Sequence, residues 1–395
     1  MKILMIAPQP FFTPRGTPFS VLYRLHALSK LGHKIDLLTY HLGEDILIQN
    51  VSIKRIPKIP FIKSISVGPS KIKLLLDVFI IFKSLKLLIK SRYDLIHSHE
   101  EAGFFSVWLS KIFNVKHLYD MHSSLPQQLN NFRFTKSRLL LNCFEKLEYQ
   151  TLKNADAVIT ICSALYNHVE KQFPVKNQVL IENVVDPSWV LKKSNETIVD
   201  ISNRYGLKDS FKILYTGTFE TYQGIDLLIE SAKRVTEHHK NVSFVLVGGN
   251  TIQVNRYKQK VYEIGLSRYF VFTGQVRPNT ITLFVKLADI LVSPRIKGDN
   301  TPLKIYSYLR SGKPVVATNH PTHTQVLDDT VALLTECRPE AFADGINKLI
   351  NNTELRQKLS TNALILAETK YSFETYLSKT KAIYDTLDGN RCSRI

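Results

Sequence analysis

The sequence predicts an α/β protein of two domains, each an open parallel sheet covered by helices. Short apolar runs of strand length alternate with helical patterns along the chain. After residue 187 the alternation lapses into the polar stretch Lys192-Lys193-Ser194-Asn195-Glu196-Thr197. A length of 395 residues suits two domains of ordinary size. The divide is therefore expected between 1–190 and 191–370, with a last helix over 371–387. Strands joined through crossover helices pair in parallel, and such sheets collect ligands at their C-terminal strand ends and in the cleft between domains.

The first domain opens on a buried strand over 3–7. Its apolar run spans about five residues before Gln9-Pro10 breaks it, too short for a secretory leader, so a cytosolic protein is expected. A helix follows over 20–31, where Val21, Leu22, Leu25, Leu28 and Leu31 recur at helical spacing before Gly32 stops it. Further strands are expected over 35–39, 95–97, 117–119 and 157–161. In the second domain they fall over 212–216, 243–247, 270–273, 290–292 and 314–317. A helix over 224–235 lies among them, and helices over 339–351 and 372–387 close the chain.

Hydrophobic residues make up 44% of the chain and charged ones 22%, a globular balance that excludes a disordered or collagen-like class. Lysine and arginine number 52 against 34 acids, a net charge of +18 that calls for a polyanionic partner. Nucleic acid is not expected, because no helix-turn-helix, RNP-type or zinc-finger pattern is present. Cys143, Cys162, Cys337 and Cys392 are too scattered for a disulfide framework or a zinc cluster.

Half of the excess charge sits in one place. Residues 51–92 carry ten basic residues and one acid, Asp77. Within them, 72–89 is rich in Leu, Ile and Phe but holds Lys73, Asp77, Lys83 and Lys86, so it is no bilayer-spanning helix. It is expected to be an amphipathic helix with Lys83, Lys86 and Lys90 on one face, and the basic stretch 54–92 to lie on an anionic membrane surface. A core helix with a solvated lysine face is the alternative.

Four strand-to-helix junctions have the composition of anion or nucleotide pockets. In Pro14-Arg15-Gly16-Thr17-Pro18, a glycine beside a helix start lets backbone N–H groups approach an anion. The run from Tyr215 through Gly217, Thr218 and Gln223 to Gly224 offers the same before its helix. Gly248-Gly249 and Gly274-Gln275-Val276 end strands on glycine, where a ring or ribose can rest against bare backbone. In the fourth, Ser293-Pro294-Arg295-Ile296-Lys297-Gly298-Asp299-Asn300-Thr301-Pro302-Leu303-Lys304, Thr301 is the expected N-cap and Pro302 the first helical residue. Arg295, Lys297 and Lys304 crowd that helix start, where cations are disfavoured unless an anion joins them.

Taken in order and spacing, these segments resemble the retaining, family 4-like glycosyltransferases of GT-B fold. The resemblance also draws on Leu31-Gly32-His33, 94–99, Tyr119-Asp120-Met121-His122, Glu182-Asn183-Val184-Val185-Asp186, Ala288-Asp289 and 312–317, and so covers nearly the whole chain. It implies a nucleotide-sugar held mainly by the C-terminal domain, an acceptor held mainly by the N-terminal one, and a final helix packing back onto the N-terminal domain. No metal or other cofactor is expected, because helix termini and basic residues hold the diphosphate. The family's Gly-Arg-Leu-x-x-x-Lys-Gly loop has Thr218 and Gln223 here in place of its cations. Its paired glutamates are Asp299, which would accept from a sugar hydroxyl, and Ser307, which would meet the ribose through a neutral bond.

The expected function is transfer of a sugar from a nucleotide-sugar donor to a lipid-linked or polysaccharide acceptor at the cytosolic membrane face. His122 and Asp299 are the expected catalytic residues. Donor binding is expected from Gly16, Gly217, Thr218, Gln223, Gly248, Gln275, Val276, Arg295, Asn300, Thr301, Pro302, Leu303, Lys304 and Ser307, with Arg15 as a further cation. His97 is read as packing. A nucleotide-sugar epimerase of the same architecture and a non-catalytic partner of another transferase remain alternatives.

Overall fold

The computed structural model describes residues 1–13, 16–65, 70–131, 137–173, 177–184 and 196–389. Arg15, Val185 and Asp186 lie outside them, as does most of the polar stretch that begins at Lys192. The chain forms two compact units, Met1–Asn183 with Glu374–Ile395, and Val184–Phe373.

In the first unit the order is β1 (Lys2–Ile6), α1 (Gly16–Lys30), β2 (Lys34–Thr39), β3 (Val51–Arg55), α2 (Lys71–Lys90), β4 (Leu95–His99), α3 (Ala102–Phe113), β5 (Lys116–Met121), α4 (Leu125–Asn131), α5 (Arg138–Asn154), β6 (Ala157–Thr160), α6 (Ser163–Gln172) and β7 (Gln178–Leu180). These seven strands form one sheet in the order β3-β2-β1-β4-β5-β6-β7, every pair parallel. The chain turns back between β1 and β4, the switch point at which open α/β sheets offer a crevice. The first helix starts at Gly16, four residues ahead of the expected 20–31, so Gly16, Thr17 and Pro18 form its first turn.

The second unit runs α7 (Ile198–Arg204), β8 (Phe211–Thr216), α8 (Ile225–His238), β9 (Val242–Val247), α9 (Thr251–Glu263), β10 (Phe270–Gly274), α10 (Pro278–Leu287), β11 (Ile290–Ser293), α11 (Leu303–Arg310), β12 (Val315–Thr318), α12 (Pro321–Thr324), β13 (Leu333–Thr335), α13 (Pro339–Asn351) and α14 (Thr353–Thr369). Its parallel sheet has the order β10-β9-β8-β11-β12-β13, with the switch point between β8 and β11. Strands such as β9 are buried at every residue, which is why they read as unbroken apolar runs. Apolar cores flank this sheet on both faces: Ile213, Phe244, Leu246 and Ile346 on one, Leu214, Leu291, Ile305 and Val315 on the other. Each such side chain contributes about 1.5–3 kcal/mol when fully buried.

The last helix, α15 (Phe373–Gly389), belongs to the first unit. It is tied there by Lys379 to Glu182 at 2.7 Å and by Arg24, on α1, donating to Thr380 at 2.9 Å.

Candidate functional site

The loops that leave β8 and β11 lie side by side because those strands are neighbours at the switch point. They are also bonded together: the Ile296 N–H donates to the Tyr222 carbonyl at 3.0 Å. Gly224 ends the first loop at φ +76°, with the Pro294 carbonyl so close that any Cβ would overlap it. Gly248, at φ +124°, is likewise closed to a side chain by the Gly217 carbonyl. Gly217 donates to the Val247 carbonyl and Gly248 to the Gly274 carbonyl, both at 2.9 Å, so the three strand ends present bare backbone to one another.

Two cations stand over this floor. Lys304, in the first turn of α11, holds its Nζ 3.8 Å from the Tyr215 ring centre and 3.5 Å from the Gln223 Oε1. The Arg295 guanidinium lies 5.2 Å above the Tyr222 ring, and its Nε donates to the Lys297 carbonyl at 2.8 Å. Among the described residues neither cation makes an ion pair with a carboxylate. Burial, with the Arg295 charge beside it, pushes Lys304 well below the usual lysine range, and burial lowers Arg295 too. The Thr301 hydroxyl oxygen is buried with no hydrogen-bond partner. Half-buried cations and a buried hydroxyl at a helix start have the chemistry to meet an anion with several acceptor oxygens, such as a phosphate.

The helix itself starts one residue later than expected. Pro302, not Thr301, is the N-cap, with extended backbone (φ −63°, ψ 133°), and its carbonyl accepts from the Ile305 N–H at 2.9 Å. Proline's fixed φ suits either position, and no side-chain cap decided between them, which is why the Thr301 hydroxyl is left over.

The other expected donor residues divide. Gly217 borders Lys304, whose Nζ would lie 3.5 Å from a Cβ there. Thr218 offers its carbonyl to the Tyr215 hydroxyl at 2.7 Å. Asn300 and Leu303 are half-buried, and Asp299 is exposed with its carbonyl held by Gln325 at 2.7 Å. Ser307 donates to the Lys304 carbonyl at 2.8 Å, so only its acceptor capacity is left for a ribose. Gln275 is exposed, whereas the Val276 side chain packs into the core and leaves only its backbone for a ligand. Lys297 is exposed, outside the Arg295–Lys304 pair.

Gly16 and His122 belong to the first unit. Gly16 is exposed at the start of α1, with open space where a Cβ would be. His122 follows β5 and is buried in a network centred on Asp120. Its Nε2 lies 3.2 Å from Asp120 Oδ1 and 3.1 Å from His99 Nδ1. Asp120 Oδ2 accepts from Arg24 Nε at 3.0 Å and from His97 Nε2 at 3.2 Å. On its far side His97 Nδ1 meets the Tyr384 hydroxyl of α15 at 2.5 Å.

The proton inventory follows from the carboxylate. Burial opposes the Asp120 charge, but Arg24 and His122 outweigh it and hold the group well below the usual carboxylate range. An ionised Asp120 only accepts, so His97 Nε2 carries the hydrogen and Nδ1 accepts from Tyr384, whose proton is held fast by burial. Burial keeps His97 neutral, as it does His99 with the help of His97. His122 goes the other way: burial opposes its charge, but Asp120 raises it above the ordinary histidine value. His97 is therefore packing with a fixed hydrogen-bond role. Sequence reasoning missed Arg24, His99, Thr380 and Tyr384 here, and Tyr222 as the bed for Arg295.

Two family models match in tandem: "Glycosyltransferase Family 4" over residues 14–189 and "Glycosyl transferases group 1" over 199–364. The phosphatidyl-myo-inositol mannosyltransferase of Mycobacterium leprae is 23% identical over 98% of this chain and 97% of its own. Sucrose-phosphate synthase from Thermosynechococcus elongatus superposes with a TM-score of 0.77 at 19% identity, covering 98% of this chain and 99% of its own. Anabaena HepE in complex with UDP-glucose gives 0.73 at 18%, covering 98% and 100%. Both likenesses show the fold, two Rossmann-like domains of the GT-B type. With both family models matched and the glycine loops and paired cations in place, the chain belongs to the group 1, family 4 glycosyltransferases.

Proposed function

We propose that the protein is a retaining glycosyltransferase that moves a sugar from a nucleoside-diphosphate donor to a lipid-linked or polysaccharide acceptor at the cytosolic face of a membrane. The observation that carries the donor is the half-buried Arg295–Lys304 pair, which among the described residues makes no ion pair, beside the buried Thr301 hydroxyl. In transfer, these groups and the α11 N-terminus would stabilise the charge of the leaving diphosphate. His122 and Asp299 would contact the sugar. Related proteins handle such donors and acceptors: HepE was solved with UDP-glucose, and the mycobacterial relative is a phosphatidyl-inositol mannosyltransferase. Titration with a panel of nucleotides and nucleotide-sugars tests the donor, and the anomeric configuration of the product tests retention. No binding of any nucleoside diphosphate would overturn the reading.

A reaction without a metal fits the same groups. His97, His99 and Asp120 can bring ligand atoms within 4.8 Å of one another, but the Arg24 guanidinium, donating to Asp120 Oδ2 at 3.0 Å, sets a fixed positive charge beside them that opposes a cation. Chelation with EDTA is expected to leave turnover intact. Asp299→Ala should lower turnover about ten- to a hundredfold, the worth of a hydrogen bond to a charged group, with nucleotide affinity little changed. Loss of activity in EDTA, restored by a divalent metal, would overturn this assignment.

Membrane contact is assigned to α2. Leu76, Ile80 and Leu88 face the core, while Phe82 is 67% exposed and Ile89 74%, with Lys86 and Lys90 exposed beside them. On neighbouring α3, Trp108 and Ile112 are exposed as well. Lysines flanking apolar side chains on an outward helix face suit an anionic lipid surface, the lysines meeting headgroups and the rings entering below them. No described helix is long and apolar enough to cross a membrane. Each lysine near such a surface contributes about 1 kcal/mol, so the triple change Lys83→Glu, Lys86→Glu and Lys90→Glu should weaken binding to anionic vesicles by roughly a hundredfold or more. Cosedimentation at low and high salt measures it, and an unchanged bound fraction would refute it.

A further inference from the structure

We propose that Asp120 is the positioning residue for His122: its Oδ1 lies 3.2 Å from the His122 Nε2, which also meets His99 Nδ1 at 3.1 Å, while Arg24 and His97 fix its other oxygen, so the imidazole enters the reaction with Nε2 held beside the carboxylate and Nδ1 turned away from it. The inference rests on the reading of His122 as a group at the sugar. The carboxylate is fully buried and has four nitrogen neighbours from three places in the fold: Arg24 on α1, His97 and, at 3.8 Å, His99 on β4, and His122 after β5. Each neighbour is itself held. Arg24 NH1 donates to Thr380 at 2.9 Å and its guanidinium lies 4.8 Å from the Tyr376 ring centre. The Tyr384 hydroxyl fixes the His97 tautomer. The C-terminal helix α15 thus supplies Thr380, Tyr376 and Tyr384 to a structure whose other end is His122.

The groups that set the charge of His122 are few. Asp120 and Glu100 favour the imidazolium, whereas Arg24 and the enclosure disfavour it. His97 and His99, on β4, are neutral. Glu100 is engaged by the Ser123 hydroxyl at 2.7 Å, and Tyr376 and Tyr384 keep their protons. Asp120 is the only one of these acids within ion-pair distance of the His122 ring among the described contacts. An opposite charge that close moves a titration by about one to three pH units.

The test reads the His122 ring directly, by NMR titration of the full-length protein, alongside the pH profile of turnover. Asp120→Asn should move the His122 midpoint down by about one to three pH units and lower kcat about a hundredfold at neutral pH, with the donor KM unchanged within about twofold. Because Asp120→Asn leaves Arg24 buried without its counter-ion and can fail to fold, the paired change Arg24→Met with Asp120→Asn removes both charges together. It should still shift the midpoint downward, by less than Asp120→Asn alone, because the opposing charge of Arg24 is removed with it. Arg24→Met alone should shift the midpoint upward, the opposite sign, which a loss of general stability would not produce. A His122 midpoint that stays put in the paired variant would overturn the inference. If the midpoint moves as expected but His122→Ala retains full turnover, Asp120 still governs the ring and the placement of His122 at the sugar is what fails.

Discussion

Lys304→Met is expected to weaken nucleoside-diphosphate binding ten- to a hundredfold and, at the same time, to raise the melting temperature of the ligand-free protein. The two effects share one cause. Lys304 is half-buried beside Arg295, with the Gln223 amide oxygen and the Tyr215 ring as its neighbours among the described residues, so burial and the neighbouring cation both oppose its charge. Methionine keeps a stem of similar length against Tyr215 and removes the charge. A hydrogen bond to a charged group is worth about 1.5–3 kcal/mol, which sets the loss in affinity. Each kcal/mol of relieved repulsion raises the melting temperature of a domain of this size by about 2–4 °C. Gln223→Lys should do the reverse when the site is empty. It removes the amide that Lys304 leans on and adds a third cation, so the melting point falls, and a bound nucleoside diphosphate should restore more stability than in the unaltered protein. Calorimetry and thermal melts with and without ligand measure both. A Lys304→Met variant that binds with full affinity would move the phosphates elsewhere. One that melts lower would mean the lysine is stabilised by its surroundings.

That pair of cations was legible in the sequence because a helix start is a local feature. Arg295 and Lys304 stood near a proline-led helix with no acid to balance them except Asp299, and among the described residues neither makes an ion pair. The central strands were legible for a similar reason: β1, β4, β5, β8, β9 and β11 are buried on both faces and show as apolar runs. Three of the four edge strands, β3, β7 and β13, were not, although the fourth, β10, was. In β3, Val-Ser-Ile-Lys-Arg alternates over only four residues and is half-buried throughout, and β7 and β13 are three residues long, so the signal is too short to mark them. The Asp120 network was the least legible. Arg24 reaches Asp120 across 96 residues, and Thr380 reaches Arg24 across 356, separations at which no period or motif operates. The motif around Asp120 and His122 marked the place, but what fixes the ring arrives from α1 and from the far end of the chain.

Asp77→Asn is expected to stabilise the protein, by an amount that grows with pH. Asp77 is the one acid in the basic stretch 51–92, on the inner side of α2, where Tyr40 at the end of β2 donates to its Oδ1 at 2.6 Å. Burial, then the charge of Glu101, push its carboxyl up to about 8, while the Tyr40 hydrogen bond and Lys73 pull the other way. The sign follows from which state holds the proton. Between the unfolded value near 3.9 and the folded value, the native protein keeps a proton that the unfolded chain releases, so stability falls as pH rises, by about 1.4 kcal/mol per pH unit. Above the folded value the loss is complete and levels off. Asparagine is close to isosteric, still accepts from Tyr40 and does not titrate, so the variant escapes that slope. Titrating groups whose surroundings the substitution leaves alone cancel in the difference between the two proteins. Urea denaturation of both proteins at pH 5 and pH 8 should show the stability difference widening by about 4 kcal/mol in favour of Asp77→Asn. A difference that does not change with pH would mean that Asp77 is ionised in the native protein throughout. The same measurement bears on membrane contact, because Asp77 and Tyr40 tie to the sheet the helix whose outer face carries Phe82, Lys86 and Ile89. On the proposed membrane contact, a neutral, hydrogen-bonded Asp77 would keep that helix docked while its lysines meet the lipid, and an anionic surface, which concentrates protons, would favour that neutral form.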